Sequence, residues 1–274
     1  MRIRIIFSLI NKGAVLPFHH QKLIRILINE ILGNDQKVLG KELFNFSGLK
    51  GQTKVGHEGL HYYSKRVTLV FSSFKKSFAE LFIQKLFLHD RVALGNLILV
   101  PELVEEEILP DLQSSNKYLC ISPLVVLNQH NNDRNKEFIH PTTDDFSDLL
   151  YESTMTRMEE TGKYSNEDIA SFFRFQLIPD KIYLNKINKA EKKFARIYTL
   201  VDNKSIKEVR GYTFPFSLYA APEVQEFIFK CGFGELTSHG FGMVDFSHPS
   251  NSNRQVIYTR KSKFIHSNNY IKES

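Results

Sequence analysis

The chain has 274 residues, 42% of them hydrophobic and including 23 Phe and 11 Tyr, which is enough apolar mass for one large or two ordinary cores. Thirty-six Lys and Arg against 30 Asp and Glu leave a formal charge of +6, which favours an anionic partner without naming one. No stretch approaches the roughly 20 apolar residues of a membrane span, no signal peptide is evident at the start, and Cys120 and Cys231 have no metal-ligand spacing; a folded, soluble protein of a reduced cytoplasm is expected, with no membrane partner.

Charged and apolar residues alternate from Arg2 to Ile10, as in a half-buried strand, and after Pro17 the spacing of Leu23, Ile24, Leu27, Ile28 and Ile31 predicts a helix from Phe18 to Leu32. Leu43 to Ser47 and Leu60 to Ser72 read as paired strands, joined by the Lys- and Gly-containing connection Gly48 to Gly59. Phe78, Leu81, Phe82 and Leu86 mark a second helix and Leu94 to Val104 a closing strand, so the order is β-α-β-β-α-β.

An acidic, proline-marked stretch, 105–111, follows, and the same order begins again. Tyr118 to Leu127 reads as a strand, Asn128 to Thr143 as a polar loop, and Phe146, Leu149 and Leu150 open a helix towards Glu160. Phe172 to Ile187 and Lys193 to Asp202 are expected as a hairpin, Val209 to Leu218 as a strand, and Pro222 opens a helix to Lys230. The chain is therefore expected to be α+β: two tandem ferredoxin-like (RRM-like) β-α-β-β-α-β modules with antiparallel sheets, at 1–112 and 113–248, and a basic, solvated tail at 249–274.

Four glycines, Gly232, Gly234, Gly240 and Gly242, bracket the polar loop Glu235 to His239 and lead into a last strand, Gly240 to Phe246. A loop of this build can present backbone N–H groups to a phosphate backbone, and Lys230, Ser238 and His239 are the side chains expected to join that contact. A bulkier residue at Gly240 is then expected to weaken RNA binding more than it lowers thermal stability. The spacing excludes a dinucleotide fingerprint and a P-loop, and no nucleophile motif of a Ser or Cys hydrolase is present. A helix cap followed by a glycine-bulged edge strand accounts for the same residues without RNA.

With both modules and the loop in place, the chain resembles the CRISPR-associated endoribonucleases that cut precursor CRISPR RNA within each repeat. Gly232-Phe233-Gly234 through Gly240-Phe241-Gly242-Met243-Val244 fits their glycine-rich loop, and Ile121-Ser122-Pro123-Leu124, Leu16-Pro17-Phe18-His19-His20-Gln21 and Leu43-Phe44-Asn45-Phe46-Ser47 extend the likeness along the chain. The resemblance implies binding of a CRISPR repeat RNA and its cleavage without metal or cofactor. The 2′-hydroxyl attacks the adjacent phosphorus, leaving a 2′,3′-cyclic phosphate and a 5′-hydroxyl, and subunits of a CRISPR effector complex are implied partners. Two further readings are a repeat-RNA binding subunit that does not cut and a generic RRM-type RNA-binding protein.

The family commonly carries a histidine just after the first helix, with a Tyr on that helix. Here residues 33–42 contain no histidine and Asn29 stands near the place of the Tyr. The proton-transfer roles therefore fall to other histidines: His57 and His20 first, with Lys50 and Lys54 supplying charge, and His19 and His239 as further candidates.

Overall fold

Along Arg2–Leu9 (β1) the alternation works as the sequence implies: Ile3, Ile5, Phe7 and Leu9 are buried on one face, and Arg2, Arg4, Ile6 and Ser8 occupy the other. The computed structural model describes residues 1–33, 43–127, 139–190, 194–202, 205–247 and 254–260. Strand β2 (Val15–Leu16) leads to helix α1 (Gln21–Leu32), and β3 (Phe44–Phe46), β4 (Thr53–Val55), β5 (Leu60–Tyr62) and β6 (Arg66–Ser73) follow. Helix α2 (Lys76–Leu86), β7 (Val92–Leu94) and β8 (Leu97–Glu107) come next. The main sheet places β8, β1, β6 and β3 side by side, all antiparallel. Helix α1 sets Ile24, Leu27, Ile28 and Ile31 on this sheet, and α2 adds Phe78, Phe82, Ile83 and Leu86; the two helices share one core with the buried side of β1.

The second half repeats the plan. Strand β9 (Ser115–Cys120), the short β10 (Leu124–Val125), α3 (Asp144–Glu160), α4 (Asn166–Ser171), β11 (Gln176–Pro179) and α5 (Lys181–Lys189) precede a hairpin of β12 (Ala195–Asp202) and β13 (Ser205–Tyr212). Strand β14 (Pro215–Tyr219), α6 (Pro222–Cys231), a 3₁₀ turn (Thr237–His239) and β15 (Val244–Phe246) complete it. The sheet order β11-β14-β9-β15 is again the ferredoxin-like arrangement, with α3 and α6 over a core of Phe146, Leu150, Met158, Phe227 and Ile228. None of the described helices is long and apolar enough to cross a membrane.

Several local expectations change. Phe172 to Ile187 does not form one strand. After β11, Asp180 caps α5 by accepting the Tyr183 N–H at 2.9 Å, and β11 pairs with β14, not with β12 as the expected hairpin requires. The hairpin instead joins β12 to β13, and the expected strand Val209 to Leu218 breaks at Thr213–Phe214 into β13 and β14, which belong to different sheets. The expected strand Tyr118 to Leu127 likewise divides at Ser122–Pro123, because proline supplies no ladder N–H. Most of the expected polar loop, at 128–138, lies outside the described residues.

The solvated tail is also corrected in part. Arg254–Thr259 is strand β16, antiparallel to β8 on the outer edge of the first sheet, with Ile257 against the first core. The run Val256-Ile257-Tyr258-Thr259 has the β-branched and aromatic character of a strand, which the surrounding Ser and Asn obscure.

Candidate nucleic-acid interface

The glycine loop follows directly from the end of α6. Gly232 (φ 83°), Gly234 (φ 74°), Gly240 (φ 82°) and Gly242 (φ 70°) all lie in the left-handed region, and Leu236 joins them at φ 59°. Each glycine is pressed against a neighbour. A Cβ on Gly232 would meet Asn45 Nδ2 at 1.9 Å, one on Gly240 the Phe46 ring at 2.4 Å, and one on Gly242 the Phe233 carbonyl oxygen at 1.9 Å. Asn45 Nδ2 also donates to the Phe241 carbonyl at 3.0 Å, so β3 of the first sheet is seated in the loop that ends the second.

This arrangement corrects the phosphate cradle expected from sequence. The N–H of Phe233 donates to Gly242, that of Glu235 to Val125, that of Gly242 to Pro123 and that of Met243 to the Ser122 hydroxyl. The Gly232 and Gly240 N–H groups close turns onto Ile228 and Thr237, and all four glycines are buried. Their freedom serves close packing. It follows that a side chain at Gly240 strikes the Phe46 ring, so the expected order of effects reverses and stability suffers first. Lys230, expected on phosphate, is ion-paired with Glu226 one turn back on α6, a contact that also holds the Glu226 carboxyl below its usual range. Ser238 and His239 are half-buried on the 3₁₀ turn, with Ser238 Oγ and His239 Nδ1 3.5 Å apart.

Arg157 of α3 does much of the fastening and carries no sequence signal beyond its charge. Its guanidinium donates to the carbonyls of Cys231 (2.7 Å), Gly232 (3.1 Å) and Gly234 (3.2 Å) and lies 5.3 Å from the Phe227 ring centre. A cation on the last carbonyls of α6 satisfies acceptors that the helix leaves open and complements its dipole.

The predicted histidines separate by burial. His20 is 5% exposed; its Nδ1 donates to the Pro17 carbonyl at 3.0 Å and its Nε2 accepts the Leu49 N–H at 3.0 Å. Burial pushes its pKa down, so the ring is neutral and both nitrogens are committed; it is a structural post, not an acid or base. The Tyr62 hydroxyl holds the Leu49 carbonyl at 2.8 Å, fixing the connection from which Lys50 projects. His57 is exposed beside the turn of the β4–β5 hairpin, with Lys54 on β4 at 5.2 Å from the Tyr63 ring centre. Gly59, two residues after His57, packs on Leu16 and Pro17, which brings the hairpin to the segment carrying His19. His19 is exposed, its ring centre 4.5 Å from that of Tyr198 of β12 in an edge-on contact, and the Tyr198 ring centre is in turn 5.1 Å from that of Phe241 of the glycine loop. Burial and the nearby Arg196 lower its pKa.

Lys50 turns to a different neighbourhood. It bridges to Thr68 of β6 and stands within the field of Asp245, Arg2, Arg4 and Glu107; burial lowers its pKa. Arg2 is the centre of that group. Only 2% exposed, it bonds Glu107 at 2.6 Å and the Val244 carbonyl at 2.7 Å, lies 4.0 Å over the Phe229 ring and approaches Asp245 at 3.7 Å. Arg4 and Arg254 stand 3.7 Å and 3.8 Å from the same Glu107. Sequence alone reads Arg2 as a solvated strand position; the second sheet, which covers it, is not visible from local alternation.

The structure thus gathers α1, β3, the β12–β13 hairpin and the glycine loop into one packed neighbourhood, with His19 exposed on it and His57 beside it. It leaves Lys230 and His20 to structural work. Solved structures with this arrangement include one from the characterisation of a Cas6-related gene from Pyrococcus furiosus, at TM-score 0.73, 21% identity and coverage of 91% of this chain and 99% of that one. An RAMP protein binding different RNA substrates matches at TM-score 0.72 and 20% identity, with 90% and 100% covered. A CRISPR-associated protein Cas6 matches at 0.69 and 20%, with 90% and 99% covered. These are likenesses of fold. No curated protein matches the chain. Residues 106–246, which span the second sheet and the whole glycine loop, match the model of the C-terminal region of CRISPR-associated protein Cas6, and the chain belongs to that family.

Proposed function

We propose that this protein binds CRISPR repeat RNA and cuts it once without a metal ion. The observation that carries the reading is the glycine loop, which the family match covers in full and which here binds α1 and β3 of the first module to the second. In the reaction, a base takes the proton of the 2′-hydroxyl next to the scissile phosphate, the oxygen attacks phosphorus, and an acid protonates the departing 5′-oxygen. The products are a 2′,3′-cyclic phosphate and a 5′-hydroxyl. His19 and His57 are the two exposed histidines flanking the Leu16–Pro17 segment, and an imidazole of depressed pKa, as at His19, is neutral and suited to the base. His57 then serves as acid, with Lys54 of the same hairpin as the nearby cation.

A second reading, a subunit that binds the repeat RNA and delivers it to other CRISPR effector subunits without cutting, is favoured by one observation. His20, the most conspicuous histidine of the α1 entry, has both nitrogens bonded inside the chain.

Incubation of the pure protein with end-labelled repeat RNA in EDTA separates the two. A single cut with a cyclic-phosphate end, reduced on the order of 10²–10⁴-fold by His19→Ala or His57→Ala, is expected. Tight binding of intact RNA establishes the second reading, and indifference to the repeat beside good binding of generic single strands removes both.

A further inference from the structure

Between the entry to α1 and the β12–β13 hairpin lies a pocket of about 610 Å³, lined by Phe18 and His19 on one side and by Phe194 to Ile197 and Arg210 on the other. Its size falls within the range of small-molecule sites. Among the described residues that line it there are two arginines and a histidine and no carboxylate, so the cavity favours an anion. Its apolar walls are aromatic. Phe18 is exposed, while Phe194 is held edge-on by His140 at 5.6 Å and by Phe214 at 6.3 Å, and tilted against Tyr212 at 5.9 Å, a rigid platform fixed before any ligand arrives. Arg196 is exposed at the rim, and Arg210 hydrogen-bonds Tyr212, which fixes one end of a guanidinium that has five N–H donors to share.

Aromatic walls beside an exposed guanidinium suit one chemical class, a nucleotide: a flat base joined to a phosphate. We infer that this pocket holds a single unstacked nucleotide of the bound RNA, its base against Phe18 and Phe194 and its phosphate on Arg196. The inference rests on the RNA-binding part of the reading above and adds a position at which the strand is read one base at a time. The Tyr198 ring, which touches His19 on one side and Phe241 on the other, ties the pocket wall to the glycine loop. A base seated here therefore sets the register of the strand relative to that loop. Sequence gives little notice of the site, because Phe18 and Arg196 are about 180 residues apart and the strand bearing Arg196 pairs with β13 and not with its expected partner.

The test titrates the full-length protein with labelled repeat RNA and with a set of the same RNA in which one ribose at a time is abasic. For the wild type, one position or two adjacent positions should weaken binding on the order of ten-fold or more when the base is removed. Arg196→Gln, an exposed change that spares the core, should weaken the intact RNA about as much and should lose most of the sensitivity at that position. Arg91→Gln, an exposed arginine outside the pocket, should leave the abasic profile intact. An Arg196→Gln protein with wild-type affinity and an unchanged abasic profile overturns the pocket while leaving the repeat-RNA reading standing. Failure of the wild type to bind the repeat, with tight binding of generic single-stranded RNA that still depends on Arg196, removes the repeat reading and keeps the pocket. Binding of neither RNA, or equal competition by an acidic peptide such as oligoglutamate, overturns the pocket.

Discussion

His20 illustrates how a residue type that suggests chemistry can be spent on structure. Its neutral ring bridges the Pro17 carbonyl and the Leu49 N–H, and that neutrality has a pH signature. Because the folded chain resists protonating it, the unfolded chain binds more protons just below the ordinary pKa of 6.5, and stability must fall as pH drops through that value. His19 shifts the same way and adds to the trend. Melting curves from pH 7.5 to 5 should show this decline, and His20→Gln should flatten it while costing about 1–3 kcal/mol at pH 7.5 if the Leu49 N–H is left unpaired. A slope unaltered by the substitution would mean that other groups carry it. The sequence offered four candidate histidines at the α1 entry, the β4–β5 hairpin and the glycine loop; burial, a property of distant strands, decided among them.

At the scale of elements, the glycine loop was legible as a motif and misread as a mechanism. Four glycines at this spacing do mark a special backbone, yet the marking cannot distinguish N–H groups offered to a ligand from N–H groups consumed by the chain. The outcome depends on Pro123, Val125 and β3, which are more than a hundred residues away. Gly242→Ala should therefore be severely destabilising, because the new Cβ meets backbone at 1.9 Å and nothing soft can yield. Gly162→Ala is the control: its φ of 65° is equally unfavourable but no atom lies within 4 Å, so a loss of about 1 kcal/mol is expected. Urea titrations of both variants check the contrast, and similar losses would assign the whole effect to backbone strain. The two β-α-β-β-α-β sets were visible from periodicity because each helix and strand carries its own apolar stripe. The breaks at Ser122–Pro123 and Thr213–Phe214 were not, since a strand that changes sheets keeps the same alternation.

Across the whole molecule, the two modules are held together by ionic and packing contacts that local pattern does not show. Arg2 reaches from the first strand of one sheet to the Val244 carbonyl and the Phe229 ring of the other while neutralising the buried Glu107. Removing one member of such a group leaves charge uncompensated, so Arg2→Met should cost on the order of 3–5 kcal/mol in chemical denaturation. The double variant Arg2→Met/Glu107→Leu should recover part of that loss. A single-variant cost below about 1 kcal/mol would show that the modules are held by their apolar contacts alone.

Strand β16 gives the first sheet a dependence on the order of synthesis. The outer edge of β8 is complete only when Arg254–Thr259 arrives, about 150 residues after Glu107. At ordinary elongation rates that is roughly 8–30 s in which a nearly finished sheet shows an open edge on the ribosome. An open edge invites pairing with other nascent chains unless charge guards it. Glu102, Glu105 and Glu106 lie along that strand, so the acidic stretch would also put negative charge on the waiting edge.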